Sequence, residues 1–298
     1  MEVLVAGATG FIGRRLCPQL HRDGHNVRAM TRHPDRYHGV GTPVGADAAD
    51  PDSLVAPLRG CEAAYYLVHS LAADDFERRD AAAARNFGRA AAAAGVQRII
   101  YLGGLGDDAD HLSAHLRSRR QVESLLGEAG VPVTTLRAGI IVGHGGISWE
   151  ITRQLVEHLP AMITPRWVRT RTQPIAVDDV IRYLTGVLDD PRAEGRTFEI
   201  GGPDVLAYLD MLRRVARIQG RPIPIVPVPL LSPRLSSRWL ALVTDVDVRT
   251  GRSLVDSMVN EVVVHDTAIR DILPFATLGY DEAVLRALGE RVGVRPEP

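Results

Sequence analysis

A doubly wound parallel α/β sheet is the fold class that this sequence predicts, and three observations predict it. The chain opens on a short apolar run, Val3-Leu4-Val5-Ala6, that passes straight into three glycines spaced by three, Gly7, Gly10 and Gly13. Strand-like and helix-like stretches then alternate five times within the first 143 residues. The fourth strand-like stretch, Ala63 to Val68, is apolar nearly throughout, as a central parallel strand covered on both faces must be.

The opening run is too short for a helix. It reads as a buried strand entering a tight turn that opens a helix at Phe11, which runs to about Arg22 and is closed by Asp23-Gly24. In such a turn the first glycine permits the bend and the second lets the backbone approach a pyrophosphate. The third lets the helix pack closely on the strand, and the helix N-terminus offers free amides and a positive dipole end. His25 to Thr31 forms the second strand, with Arg32 just beyond it. An acidic residue here would bind a ribose 2′-hydroxyl, whereas an arginine pairs with a 2′-phosphate. Arg32, with Arg36 behind it, therefore points to NADP (NADPH) rather than NAD as the cofactor; a solvated arginine after a strand is the plainer alternative.

A weak third strand leads to Gly45-Ala46-Asp47, where Asp47 is placed either to accept from an adenine amino group or to serve as a loop carboxylate. Asp50-Pro51-Asp52-Ser53 then opens a capped helix. Ala63 to Val68 ends in His69 and Ser70, at the carboxyl edge where open α/β sheets bind ligands, with Val68 and Ser70 facing adenosine or pyrophosphate. An alanine-rich helix, Phe76 to Ala94, takes its polar face from Arg, Asp and Glu. The strand Arg98 to Leu102 ends in Gly103-Gly104, and the helix Ser113 to Glu128 carries His115 and Arg119 four residues apart on one face. Pro132 to Leu136 continues through Gly139 to Ile140 and Gly143.

Residues 1–143 are thus expected to form a dinucleotide-binding unit whose core continues through 173–202. Residues 144–298 are expected to form mainly a smaller substrate-side region that roofs the cleft. In that region Trp149 to Leu159 reads as a helix and Pro160 to Thr172 as irregular, bearing Arg166, Arg169 and Arg171. Gln173 to Val180 reads as a short strand entering a helix capped by Asp178, and Thr197 to Ile200 as a strand before a helix ending at Gln219. A proline-spaced stretch from Pro222 to Pro233, a mixed stretch around Trp239 and a helix near Asp281 to Arg291 complete the chain. Trp149, Trp167 and Trp239 are candidates for shaping an apolar pocket.

Composition narrows the function. With 298 residues, 45% of them hydrophobic, the chain can bury a large core. A formal net charge of −1 gives no reason to expect nucleic acid as a partner. Cys17 and Cys61 lack any metal-ligand or CxxC spacing, so neither a disulfide framework nor a metal site is expected. No apolar run reaches the roughly 18 residues of a membrane span, and the chain starts on a strand, so a cytoplasmic location is expected. All 35 basic residues are arginine. Without lysine, Schiff-base chemistry, the P-loop and a Tyr-Lys catalytic pair are excluded.

At these residues the chain resembles the short-chain dehydrogenase/reductase superfamily, in its atypical and extended branches. Gly7-Ala8-Thr9-Gly10-Phe11-Ile12-Gly13 is similar to that branch's glycine turn, and Gln173 to Val180 to its lead into the substrate-side region. Tyr65 to Ser70, Tyr101 to Gly106, His115 to Arg119 and Pro165 to Arg169 are similar to a bacterial NAD(P)-binding group described as NmrA-like or epimerase-like. The resemblance implies a Rossmann-like fold. Together with the residue pattern it places the cofactor on Gly7, Thr9, Gly10, Phe11, Ile12, Gly13, Arg32, Asp47, Val68, His69, Ser70, Gly103, Gly139 and Ile140.

The chain departs from the superfamily where the chemistry lies. Ordinary members use a tyrosine, a lysine four residues on, and a serine or threonine at the preceding strand end. Here His115, Arg119, Gly103 and Gly104 stand at those places. An imidazole exchanges protons near neutrality, and a guanidinium beside it lowers its pKa while holding a ribose or carboxylate. His115 is therefore expected to act as acid/base and Arg119 as anchor, against the alternative of a solvated helix face beside Arg117 and Arg120. The leading expectation is an NADP-dependent oxidoreductase acting on a small carbonyl, enone or quinone-like substrate. A non-catalytic NADP(H) sensor or assembly protein with a protein partner or homo-oligomer is the first rival, and a sugar-nucleotide epimerase the second.

Overall fold

The computed structural model describes residues 1–71, 73–107, 111–164, 166–227 and 248–293. Six strands, β1 (Glu2–Ala6), β2 (Asn26–Thr31), β3 (Thr42–Gly45), β4 (Ala63–Tyr66), β5 (Arg98–Gly104) and β6 (Val133–Ala138), join a seventh, Thr197–Ile200, in one sheet. The order is β3-β2-β1-β4-β5-β6 with Thr197–Ile200 outermost, and every pairing is parallel. Strand order reverses between β1 and β4, where a crevice opens beyond the strands' carboxyl ends.

Alternation along β1 divides the core. Val3 and Val5 face α1 (Gly13–Arg22), which contributes Leu16, Cys17 and Leu20. Leu4 and Ala6 face the opposite layer, built from α2 (Val55–Leu58), α3 (Phe76–Ala94) and α4 (Ala114–Gly127). A third apolar cluster lies beyond the sheet's carboxyl end. It joins α5 (Ile147–His158), α7 (Tyr208–Ile218) and the helix Tyr280–Arg291 around Trp149, Met211 and Val284. Between them α6 (Val177–Asp189) packs on the α1 side of the sheet. Among the described residues no helix is long and apolar enough to cross a membrane.

Three local expectations change. The first helix starts at Gly13, two residues late, because Phe11 and Ile12 stay in the turn. β4 ends at Tyr66, leaving Leu67 to Ser70 as the loop that meets the cleft. Asp178 does not cap α6. The cap position falls on Ala176, which makes no side-chain cap bond, while Asp178 pairs with Arg286 and the buried Asp179 accepts the Leu278 N–H at 2.7 Å. Both carboxylates fasten the C-terminal segment to the helix. Trp239 and residues 228–233 of the proline-spaced stretch lie outside the described residues.

Candidate active site

The glycine turn has the geometry that its spacing implies. Gly7 sits at φ +89°, a conformation costly to any residue with a Cβ, and its carbonyl accepts the Gly10 N–H at 3.0 Å. A Cβ on Gly13 would lie 2.2 Å from the Gly7 carbonyl oxygen and 2.7 Å from the Ala8 Cα, so the helix meets the strand at a distance only glycine allows. The first turn of α1 holds no acidic residue; the Arg14 N–H donates to the Gly10 carbonyl and the Arg15 and Leu16 N–H groups to the Ile12 carbonyl, so the glycine turn runs directly into the positive end of the helix. This cradle suits a pyrophosphate.

A cleft of about 240 Å³ opens directly above it. Of the expected cofactor residues, Gly7, Gly10, Phe11, Ile12, Gly13, His69, Gly103 and Gly139 line this space, together with His115 and Arg119. Thr9 is exposed at the tip of the turn. Val68 packs against the α3 side of the core, and the Ser70 N–H donates to Asp80 Oδ1 at 2.7 Å. Ile140 is turned into the third apolar cluster, its carbonyl accepting the Ile175 N–H, and the neighbouring Ile141 lines the cleft instead. A two-residue strand pairing, Ile141–Val142 with Ile175–Ala176, fixes that alternation.

Beyond the carboxyl end of β2 the Thr31 hydroxyl accepts the His33 N–H, turning the chain. Arg32 stands exposed there, and among the described residues it has no hydrogen-bond or ion-pair partner. Asp47 is partly buried after β3, and its Oδ1 accepts the Ala49 N–H at 3.0 Å.

The positions of His115 and Arg119 depend on how α4 is held. Ser113 caps it, its Oγ accepting the Leu116 N–H. Asn260 accepts the Ser113 N–H at 3.0 Å and donates to the His111 carbonyl, and the Ser257 and Ser113 hydroxyls pair at 2.9 Å. The C-terminal region thus fastens the helix that carries His115 and Arg119. A Cβ on Gly104 would come within 3.0 Å of Leu116 Cδ2 and 3.5 Å of Arg119 Cγ. Glycine at this strand end gives those two side chains their room.

Desolvation in the cleft, then the Arg119 guanidinium, and then His69 hold the His115 imidazole far below its usual pKa, at about 3. His69 is displaced in the same direction by desolvation and Arg119, although its ring is open to the cleft, where water offsets part of the first cause. Both rings are neutral at pH 7.

Beneath them lies Asp80, a residue that sequence reasoning assigned to a polar face. It is 5% exposed, and burial raises its pKa against the opposing pull of Arg119 and the Ser70 hydrogen bond. Its signal was present. Asp80 falls on the stripe of α3 that continues through Ala84, Phe87 and Ala91, all buried.

Arg171 forms a two-pronged pair with Glu261, Arg169 is exposed, and Trp149 is buried in the third cluster. The side chains of Arg166 and Trp167 lie outside the described residues. Among the described residues no cluster of histidine, cysteine or carboxylate side chains is arranged to hold a metal ion.

A parallel sheet with a glycine cradle at its switch point defines a dinucleotide-binding protein. The chain belongs to the NAD(P)H-binding family whose model matches residues 7–191, as its resemblance to the short-chain dehydrogenase/reductase superfamily implied. It is 28% identical over 233 residues to a (4-alkanoyl-5-oxo-2,5-dihydrofuran-3-yl)methyl phosphate reductase of Streptomyces griseus, covering 74% of this chain and 75% of that protein. It is 25% identical over 328 residues to the NADH dehydrogenase [ubiquinone] 1 alpha subcomplex subunit 9 of Arabidopsis thaliana, covering 93% and 75%. Its fold matches the NADPH complex of an Escherichia coli quinone oxidoreductase, with a TM-score of 0.78 at 20% identity, over 96% of this chain and 99% of that one.

Proposed function

We propose that this protein is an NADPH-dependent oxidoreductase that reduces a small carbonyl, enone or quinone-like substrate. The observation that carries the reading is the convergence of His69, His115 and Arg119 with the glycine cradle on one cleft, whose other walls include Leu71, Leu102, Ile141, Ile147 and Leu254. The bound dinucleotide supplies the hydride. Gly7, Gly10 and Gly13 hold its pyrophosphate, Gly103 and Gly139 border the nicotinamide, and Arg119 with His115 faces the substrate oxygen. The reductase from Streptomyces griseus supports this reading, since its substrate name contains an unsaturated lactone, and so does the NADPH held by the Escherichia coli fold relative. NADPH oxidation measured against a panel of enones, quinones and ketones tests it. His115→Ala is expected to lower kcat about 100-fold or more while leaving NADPH affinity close to native. Unchanged turnover in that variant would remove His115 from the chemistry.

Cofactor choice has its own test. Arg32→Glu is expected to weaken NADPH binding about 10- to 100-fold while changing NADH binding little, because only NADPH brings a 2′-phosphate to that arginine. Equal weakening of both, measured by fluorescence titration, would move the 2′-phosphate contact elsewhere.

A second reading, a non-catalytic dinucleotide sensor or assembly subunit, draws on the missing Tyr-Lys pair and on the respiratory-complex subunit among the relatives. It predicts tight NADPH binding with no oxidation by any member of the panel. An epimerase ranks behind both, since that chemistry in the extended branch relies on the same missing pair.

A further inference from the structure

Among the described residues, the His115 end of the cleft lacks the group that an isolated ketone needs. A ketone that gains a hydride becomes a localised alkoxide, a strong base that requires an acid at hand as the new C–H bond forms. Among the described residues no tyrosine and no carboxylate lines the cleft, and Ser148 is the one hydroxyl in its wall. Three tyrosines lie nearby but do not reach the cleft wall. Tyr65 donates to the Leu184 carbonyl at 2.8 Å and Tyr101 to the Arg119 carbonyl at 3.3 Å, while the Tyr66 hydroxyl is buried away from the cleft without a hydrogen-bond partner among the described residues, its ring 5.0 Å from that of Phe87 between centroids.

What the cleft does contain is a permanent cation, Arg119, beside two imidazoles. We infer that the cleft selects conjugated acceptors, whose reduction leaves a delocalised oxyanion, over isolated ketones, with Arg119 holding the oxygen that takes the charge. This rests on the reductase reading above.

In an enone the β-carbon gains a hydride, both electrons arriving from the reduced dinucleotide. The C=C π pair moves into the bond between the α-carbon and the carbonyl carbon, and the carbonyl π pair moves onto oxygen. The resulting enolate oxygen is stabilised by the Arg119 guanidinium and by an N–H of His115. Water then protonates the α-carbon. One enone, one NADPH and one proton give one saturated ketone and one NADP⁺. A neutral imidazole suits this task, since its N–H polarises a carbonyl without surrendering its proton, and the His115 ring is held neutral. An aromatic quinol anion satisfies the same requirement.

The test pairs turnover with a readout that needs none. The protein and NADPH are given cyclohexenone and cyclohexanone in parallel. The protein with NADP⁺ is titrated with para-nitrophenol, whose colour distinguishes bound phenolate from bound phenol. The expected kcat/KM ratio favours the enone by about 100-fold or more, and the phenol binds as phenolate at a pH where it is neutral in solution. Arg119→Gln is expected to lose both the enone rate and the phenolate signal while NADPH still protects it from thermal unfolding, and Arg119→Lys to recover part of each. NADPH oxidation with no preference for the enone, or phenol bound only as the neutral acid, overturns this inference and leaves the reductase reading standing. NADPH bound yet oxidised by neither compound overturns both.

Discussion

Gly13→Ala is expected to destabilise the fold by about 2–3 kcal/mol and to abolish measurable dinucleotide binding. The added methyl would stand 2.2 Å from the Gly7 carbonyl oxygen and 2.7 Å from the Ala8 Cα. Both neighbours are backbone, so no rotamer change relieves the clash, and α1 must withdraw from β1. That withdrawal exposes Leu16 and Leu20 to a loosened contact and carries the helix N-terminus away from the pyrophosphate. Gly10 offers the contrast. A Cβ there meets only the Gly7 carbonyl oxygen, at 3.2 Å, and otherwise projects into the cleft. Gly10→Ala is therefore expected to keep a near-native urea midpoint and to weaken NADPH binding by occupying the ligand's space. A Gly13→Ala protein with native midpoint and native affinity would show that neither close packing nor the cradle depends on this glycine.

What the sequence disclosed follows from how local each signal is. The apolar run before Gly7, the glycine spacing and the limits of α3 were legible because each is written in consecutive residues. The doubly wound parallel class was legible because strands and helices alternate along the chain, whereas the order of the strands came only with the structure. Arg119 and His115 were placed in one cleft by helical spacing and by resemblance. Asp80 was missed although it lies on the stripe of α3 through Ala84, Phe87 and Ala91, because an acid in an alanine-rich helix looks solvated until the packing partner of each face is known. Asn260 carried no local pattern, and its role in holding Ser113 and His111 exists only after the C-terminal region folds back over α4. Ile140 was expected at the cleft where Ile141 stands, because the one-residue alternation of that short strand is set by the pairing of Ile141 with Ile175, which lies outside the local sequence. Asp178 was taken for a cap because it looks like one; the cap position falls two residues earlier, on the extended Ala176, and both acids of the first turn serve the C-terminal segment instead.

The two histidines make the protein acid-sensitive in a way that His115→Gln is expected to reveal. His115 has a folded pKa of about 3 against an unfolded value near 6.5. Between these values the unfolded chain binds the proton that the folded chain refuses, so stability rises with pH across that interval. The contribution is fully present above about 6.5 and is lost as pH falls toward 3. His69 adds to it in the same direction, reduced by its exposure to water. Asp80 acts oppositely, because burial raises its pKa and folding therefore favours its protonated form as pH falls through the carboxylate range. Glu150 returns to the first sign, since the Gly145 N–H and Arg153 outweigh its burial and hold its pKa down. Removing His115 isolates one member of this sum. Between pH 7 and pH 4 the native protein is expected to lose about 2–3 kcal/mol more stability than His115→Gln, read from urea unfolding at each pH. Parallel stability curves for the two proteins would mean that His115 titrates normally in the folded state. In that case its imidazolium would be available as a proton donor near neutrality, and the preference for conjugated acceptors would lose one of its supports.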